Sequence, residues 1–391
     1  MTVWDELTGQ SEAIAIFRAA AADSTLGDSP IADSAMTHSW LITGPPGSGR
    51  SNLAYAFATA LLSPAATSGV GKPDGDEATR RQVVARTHPD LAVLSTEGVI
   101  IKMEDVRRLV SSSNFSPSVS RYRVIVIEDA DRMQERTSNV LLKALEEPPP
   151  RTVWILCAPS EADLLPTIRS RVRTVRLRIP DVAEVAELIA KRDDVDLATA
   201  TRAARESQSH IGMAHRLATN EDARRRRQQT IEIALGIHTV SGAVIAAARL
   251  LELAGEDAKA ITEERDAEER ESALRSLGVE PGGTIPPALR AQLRTLEEDQ
   301  KRRATRSLRD GIDRIMVDLL SLYRDILLMQ LGVEAEPINL AIFSQLTTAS
   351  AASTAAQTLA TMDAIAIARK RIDGNVAPAL AIEAMLISTA R

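Results

Sequence analysis

The chain has 391 residues, enough for two or three domains each with its own core. Its 47 basic and 53 acidic side chains leave a formal charge of −6, which argues against a protein that binds DNA tightly by itself, since such binding rests on neutralising phosphates. Apolar residues make up 44% of the chain, yet no run approaches the ~20 needed to cross a bilayer. The opening MTVWDELTGQ lacks a basic head followed by an apolar stretch, so neither signal peptide nor membrane contact is expected. Aromatics are only 3%, which predicts aliphatic cores, and the single cysteine, Cys157, fits a reducing cytoplasm and reads as core filler.

In chain order, Trp4–Gln10 precedes a helix over Ser11–Ala22, and Asp23–Thr37 is a Ser/Asp/Pro-rich loop. Trp40–Thr43 is a short β-rich run leading into GPPGSGRS, that is Gly44, Pro45, Pro46, Gly47, Ser48, Gly49, Arg50 and Ser51. This spacing is that of a phosphate loop, in which glycines let an anion approach backbone N–H groups at a helix start. Arg50 stands at the usual lysine position and Ser51 at the metal-binding hydroxyl. A planar fork is not equivalent to a lysine at a close phosphate contact, so ATP binding is expected to be weak or vestigial. A helix over Asn52–Leu62 is followed by a polar stretch, Ser63–Arg86, read as loop, and by a strand at Leu91–Leu94. Ile101–Val110 reads as a capped helix whose Arg107 and Arg108 lie on a solvated face, with contact to DNA or a partner as the other reading.

Val124–Ile127 and Val153–Leu156 are unbroken apolar runs, the pattern of parallel strands buried on both faces. Between them stand the acidic pair Glu128–Asp129 and a helical repeat, Asn139–Glu146, stopped by Pro148–Pro150. LLPTIRSRV follows, within a basic run that continues to Arg178. Pro180 marks a boundary: a small three-helix lid is expected from Asp181 to about Asn220, and the ARRRRQQ tract from Ala223 reads as a solvated linker. Beyond Thr230 the chain is helical. Residues 256–309 hold twelve acidic and eleven basic side chains and read as two charged helices joined at Pro281–Pro287, a protruding or partly disordered insertion. Ile312, Ile315, Met316, Leu319, Tyr323, Ile326 and Leu327 form one helical stripe, and Asn375–Ile387 is a final apolar helix.

GPPGSGRS, VIVIEDADRM, NVLLKALEEPP and LLPTIRSRV, in that order, resemble the bacterial clamp-loader subunits of the AAA+ ATPases, those of the delta-prime type. The resemblance runs from about Val3 to Leu217, with an echo in the last twenty residues. It implies an α/β fold: an AAA+ P-loop domain with a parallel sheet over residues 1–180, a helical lid over 181–228, and an all-α collar over 229–391. It also implies a subunit that does not hydrolyse ATP alone but belongs to the polymerase holoenzyme. The implied partners are the gamma/tau and delta subunits, the sliding clamp, and primed DNA through the assembled complex. The alternative is an active ATPase motor of the same fold, of the gamma/tau type.

Several positions depart from a working site of this family. The strand-end acids are inverted: Glu128 stands where an Asp holds magnesium, and Asp129 where a Glu polarises water. Ala158 or Pro159 falls at the polar γ-phosphate sensor, and Met213 at the lid arginine, with Arg216 one turn on. The family commonly holds four zinc-binding cysteines before the segment Thr87–Asp90; this chain has none there, only Ser63, Gly69, Gly71 and Gly75 in polar sequence, so no zinc and a mobile loop are expected. By contrast IRSR is intact, ending in Val172 instead of Cys. Arg171 thus matches the finger that reaches a neighbour's ATP in trans, with a plain surface arginine as the other reading.

Overall fold

The computed structural model describes residues 3–4, 7–23, 35–64, 74–96, 100–276 and 290–389. Two compact units divide at Ala218/Thr219.

The first unit is built on five parallel strands, β1 (Ser39–Thr43), β2 (Leu91–Leu94), β3 (Arg123–Ile127), β4 (Thr152–Ala158) and β5 (Arg173–Arg176), in the order β2-β3-β4-β1-β5. Side chains alternate between faces along a strand, so each apolar run serves two cores. Val153, Ile155 and Cys157 of β4 join Phe17 of α1 (Ser11–Asp23) and Leu53 and Phe57 of α2 (Arg50–Leu62). Trp154, Leu156 and Ala158 face the other way, onto Val106 and Leu109 of α4 (Met103–Ser113) and Leu141 and Leu145 of α5 (Glu135–Glu146). Trp40, Phe17 and Phe57 form one aromatic cluster, with ring centroids 4.5–5.5 Å apart. The parallel α/β class expected from the apolar runs is the one observed.

Details differ from the sequence expectations. The stretch read as loop contains a helix, α3 (Glu77–Val84), because Asp76 accepts from the N–H groups of Ala78 and Thr79 and Val83 is fully buried. Residues 65–73 of that stretch, including Gly69 and Gly71, lie outside the described residues. The basic run after Ser170 contains an edge strand: β5 pairs with β1, with Val175 buried and arginines on either side. Helix α4 starts at Met103 with no side-chain cap, and Ile101 instead bridges to Met133.

The segment Thr87–Asp90 has a structural role. Asp90, wholly buried, accepts from the backbone N–H groups of Ser118, Val119 and Ser120 and from the Ser118 hydroxyl. His88 Nδ1 accepts from the Asp90 N–H, and its Nε2 lies 3.4 Å from Ser120 Oγ. Burial by itself would raise the Asp90 carboxyl, but these donors outweigh it and hold its pKa below 3.8. Burial lowers that of His88 below 6.5, against the pull of Asp90 and Asp76. Both groups therefore stabilise the fold at neutral pH. His88's contribution is lost as pH falls below 6.5, and Asp90's only as pH falls below 3.8. Urea midpoints measured against pH should show both declines. Asp90→Asn should cost about 1.5–3 kcal/mol at pH 7, the range for hydrogen bonds to a charged group, and lose the lower decline. An unchanged midpoint in that variant would refute the role.

After α6 (Pro166–Arg169), the unit ends in three helices, α7 (Val182–Asp193), α8 (Leu197–Glu206) and α9 (Ile211–Thr219). The second unit is all helical: α10 (Glu221–Leu235), α11 (Val240–Ser276), α12 (Arg290–Gln330), α13 (Phe343–Ala352), α14 (Ala355–Asp373) and α15 (Pro378–Thr389). Its core takes Ile312, Ile315, Met316, Leu319 and Ile326 from α12 and Ala381, Ile382, Met385 and Leu386 from α15. The charged segment continues α11 and α12 as helix, with Gln300 Nε2 donating to the Asp266 carbonyl at 2.9 Å; residues 277–289 lie outside the described residues.

The arginine tract is no solvated linker. It lies within α10, where Arg227 is 9% exposed, pairs with Asp318 at 3.1 Å and donates to Asn339 at 2.6 Å. Arg226 pairs with Asp257 at 2.8 Å, and Arg314 binds the other Asp257 oxygen. Asp325, fully buried, receives the N–H groups of Ile338 and Asn339. Among the described residues no helix is long and apolar enough to cross a membrane.

Candidate functional site

β1 delivers the glycine-rich loop at its C-terminal end, where the N–H groups opening α2 converge. Gly47 and Gly49 have φ of 80° and 91°, the left-handed region that a side chain disfavours. Gly49 is the N-cap of α2, and Gly44 donates to the Pro159 carbonyl at 3.2 Å, tying the loop to the end of β4. Gln10 links the N-terminal segment to the loop: its Nε2 donates to Ser48 O at 3.5 Å and to Arg178 O at 2.9 Å, and its Oε1 accepts from the Arg178 N–H. The backbone of an anion cradle is thus present over Gly44–Ser51. Pro45 and Pro46 form its outer bend, and the buried Ser48 hydroxyl has no hydrogen-bond partner among the described residues.

The side chains around the cradle do not fit a magnesium-dependent ATPase. Arg50 turns back and donates from Nη1 to the Gly44 carbonyl of its own loop. Both oxygens of Glu128 are engaged: Oε1 accepts from the Tyr55 hydroxyl at 2.6 Å, and Oε2 pairs with Arg86 at 3.0 Å. Arg86 also lies over the Tyr55 ring, 5.9 Å from its centroid. Burial first, and then the Glu128 carboxylate, push the Tyr55 phenol well above its ordinary pKa, so it remains a donor. A carboxylate held by a phenol and a guanidinium has little left to offer a cation. Asp129 follows it, just before a 3₁₀ turn over Ala130–Arg132. Asp131 has a raised pKa, chiefly from burial and further from Asp129. Among the described residues no group of three or more His, Cys, Asp or Glu is arranged to hold a metal. Cys157 is fully buried, and desolvation pushes its thiol up to about 12, so it is packing and not a nucleophile.

The lid position contributes no arginine at Met213, whose N–H is bonded to His210 Nδ1 at 3.2 Å. Instead His210 lies against the loop. Gln208 and Ser209 are both left-handed, with φ of 52° and 63°, and swing the chain so that the His210 ring packs on Gly47. A Cβ on Gly47 would come 2.3 Å from that ring, and the Ile211 N–H reaches the Gly47 carbonyl at 3.4 Å. Tyr55, Arg86 and His210 carried no sequence signal as site residues, because each acts on a partner distant in the chain.

Arg171 stands apart from this cluster, just past α6. Its guanidinium is one-third exposed and is held by Glu146 at the end of α5: Nε donates to Oε1 at 2.6 Å and Nη2 binds the same oxygen. Nη1 donates to the Thr167 carbonyl at 2.7 Å and to Ser170 Oγ at 3.0 Å. None of these contacts reaches Gly44–Ser51.

A family model described as DNA polymerase III, delta subunit, matches residues 25–181. The DNA polymerase III subunit delta' of Pseudomonas aeruginosa is 34% identical over 158 residues, 39% of this chain and 47% of that protein. The subunit delta' of Haemophilus influenzae is 31% identical over 160 residues, 41% and 48% of the two chains. The tau/gamma subunit of the same organism is 28% identical over 159 residues, 40% of this chain and 22% of that one. A solved structure, a DNA polymerase III gamma subunit-related protein from Thermotoga maritima, is 16% identical with a TM-score of 0.39, over 90% of this chain and 93% of that chain. The chain spans about half the length of the delta' relatives it matches. Over residues 25–181 the chain is therefore similar to the delta' subunits of DNA polymerase III.

Proposed function

We infer that the chain is a non-motor subunit of the clamp loader, a rigid AAA+ scaffold that lends Arg171 to a neighbour's ATP while the sliding clamp is placed on primed DNA. The observation that carries this reading is the capture of Glu128 by Tyr55 and Arg86, which removes the metal-holding acid from the chain's own site. Arg50, folded onto Gly44, and His210, packed on Gly47, support it. Its partners would be gamma/tau subunits that supply the ATP and a delta subunit that opens the clamp. ATP binds weakly at residues Gly44–Ser51 in this reading, Asp129 activates no water, and no structural zinc is held, since both His88 nitrogens already have neighbours.

The isolated chain is expected to show no steady ATP turnover, yet to co-purify with gamma/tau and delta subunits. Turnover near 1 s⁻¹, the low end of ordinary enzyme rates, abolished by Arg50→Ala, would make it a motor subunit instead.

A further inference from the structure

The Arg171 guanidinium has five N–H groups in a planar fork. Four have partners here. Nε–H and one Nη2–H meet Glu146 Oε1, and the two of Nη1 meet the Thr167 carbonyl and Ser170 Oγ. Thr167 and Ser170 are near neighbours in sequence and would accompany Arg171 wherever α6 goes. Glu146 is different: it comes from α5, 25 residues away, and reaches the guanidinium from another element. The backbone beneath is also fixed, with the Arg171 N–H bonded to the Ile168 carbonyl at 2.9 Å.

The pair is not there for stability. With side chains 33% and 46% exposed, solvent screens the pair and it adds little to stability. Orientation is what it supplies. A free arginine side chain loses much rotamer freedom when it is fixed in one pose. An anchor on the Nε–Nη2 edge removes that loss beforehand and leaves the Nη1–Nη2 edge, the one suited to two phosphate oxygens, to turn outward once Nη1 exchanges its carbonyl for the incoming anion.

We propose that Glu146 is the positioning residue for Arg171, holding the guanidinium by its Nε–Nη2 edge so that the opposite edge meets the phosphates of the neighbouring subunit's ATP. This rests on the finger reading of Arg171, and the test separates the two. ATP turnover would be measured for the loader reconstituted with gamma/tau and delta subunits, sliding clamp and primed DNA, carrying Arg171→Ala, Glu146→Ala, Glu146→Gln or the double alanine variant.

Arg171→Ala should slow turnover. Glu146→Ala should lower kcat about tenfold, because the freed arginine must then be ordered in the transition state, with KM for ATP unchanged. Glu146→Gln keeps an acceptor oxygen at the same reach and should retain most of the activity. The double alanine variant should be no slower than Arg171→Ala, because a positioning residue has nothing to position once its arginine is gone. If Glu146→Ala turns over as fast as or faster than the parent while Arg171→Ala is slow, Glu146 parks the finger or ignores it, and the positioning role is overturned. If Arg171→Ala is itself without effect, the finger reading falls and this inference falls with it.

Discussion

If Arg171 serves a neighbour's ATP as proposed, Arg171→Ala in the reconstituted loader is expected to abolish nearly all turnover at that site, while folding and assembly stay intact. Arginine fingers supplied in trans contribute about 10³–10⁵-fold to phosphoryl transfer, so that site should fall silent and total turnover should drop by its share. Arg171→Lys should not restore the rate, because an ammonium cannot reproduce the planar fork. The control for bulk charge is Arg169, which is exposed two residues earlier. Arg173 would be a poor one: its guanidinium lies 5.1 Å over the Trp40 ring and donates to the Ala35 carbonyl at 2.6 Å, so replacing it disturbs the core. Equal losses in Arg169→Ala and Arg171→Ala would reduce the effect to charge, and full activity in Arg171→Ala would leave the chain a scaffold only.

The second large effect lies in the helical unit. Arg227→Ala should destabilise it by about 3–5 kcal/mol, the range found when one partner of a buried ion pair is removed. The cause is the loss of this pair at a carboxylate only 12% exposed, on the core helix α12. Asn339 would lose a donor as well. Replacing both members, Arg227→Met with Asp318→Leu, removes both charges of the pair and should recover most of the loss. Urea unfolding followed by far-ultraviolet circular dichroism measures both. A loss below about 1 kcal/mol in Arg227→Ala would mean that water reaches Asp318 freely.

These two predictions also mark how far the sequence could be read. The strands β1, β3 and β4 are legible because a doubly covered parallel strand leaves an unbroken apolar run, as in Val124–Ile127. β5 is not, since an edge strand buries only Val175 and its arginines read as surface. Helix α3 escaped because its buried side chains are only Thr79 and Val83, too few for a period. The arginines of α10 misled for a different reason: Arg227 finds Asp318 91 residues away, and no local pattern distinguishes a solvated arginine from one with a buried distant partner. The candidate site divides the same way. The glycines of residues 44–49 announce a backbone geometry in their own spacing. The fate of Glu128 depends on Tyr55 and Arg86, 73 and 42 residues off, so inversion of the acidic pair hints at a disabled site while its capture is visible only in three dimensions.

The aromatic cluster of the sheet has a consequence for how unfolding can be watched. All three tryptophans, Trp4, Trp40 and Trp154, are buried in the unit that ends at Ala218; the unit from Thr219 onward has none. Indole emission is therefore blind to the second unit and shifts red only when the sheet opens, whereas ellipticity at 222 nm is weighted toward the long helices α11 and α12. One unlabelled sample carries two optical clocks, and where their midpoints separate, a single unfolding free energy ceases to be defined for the chain.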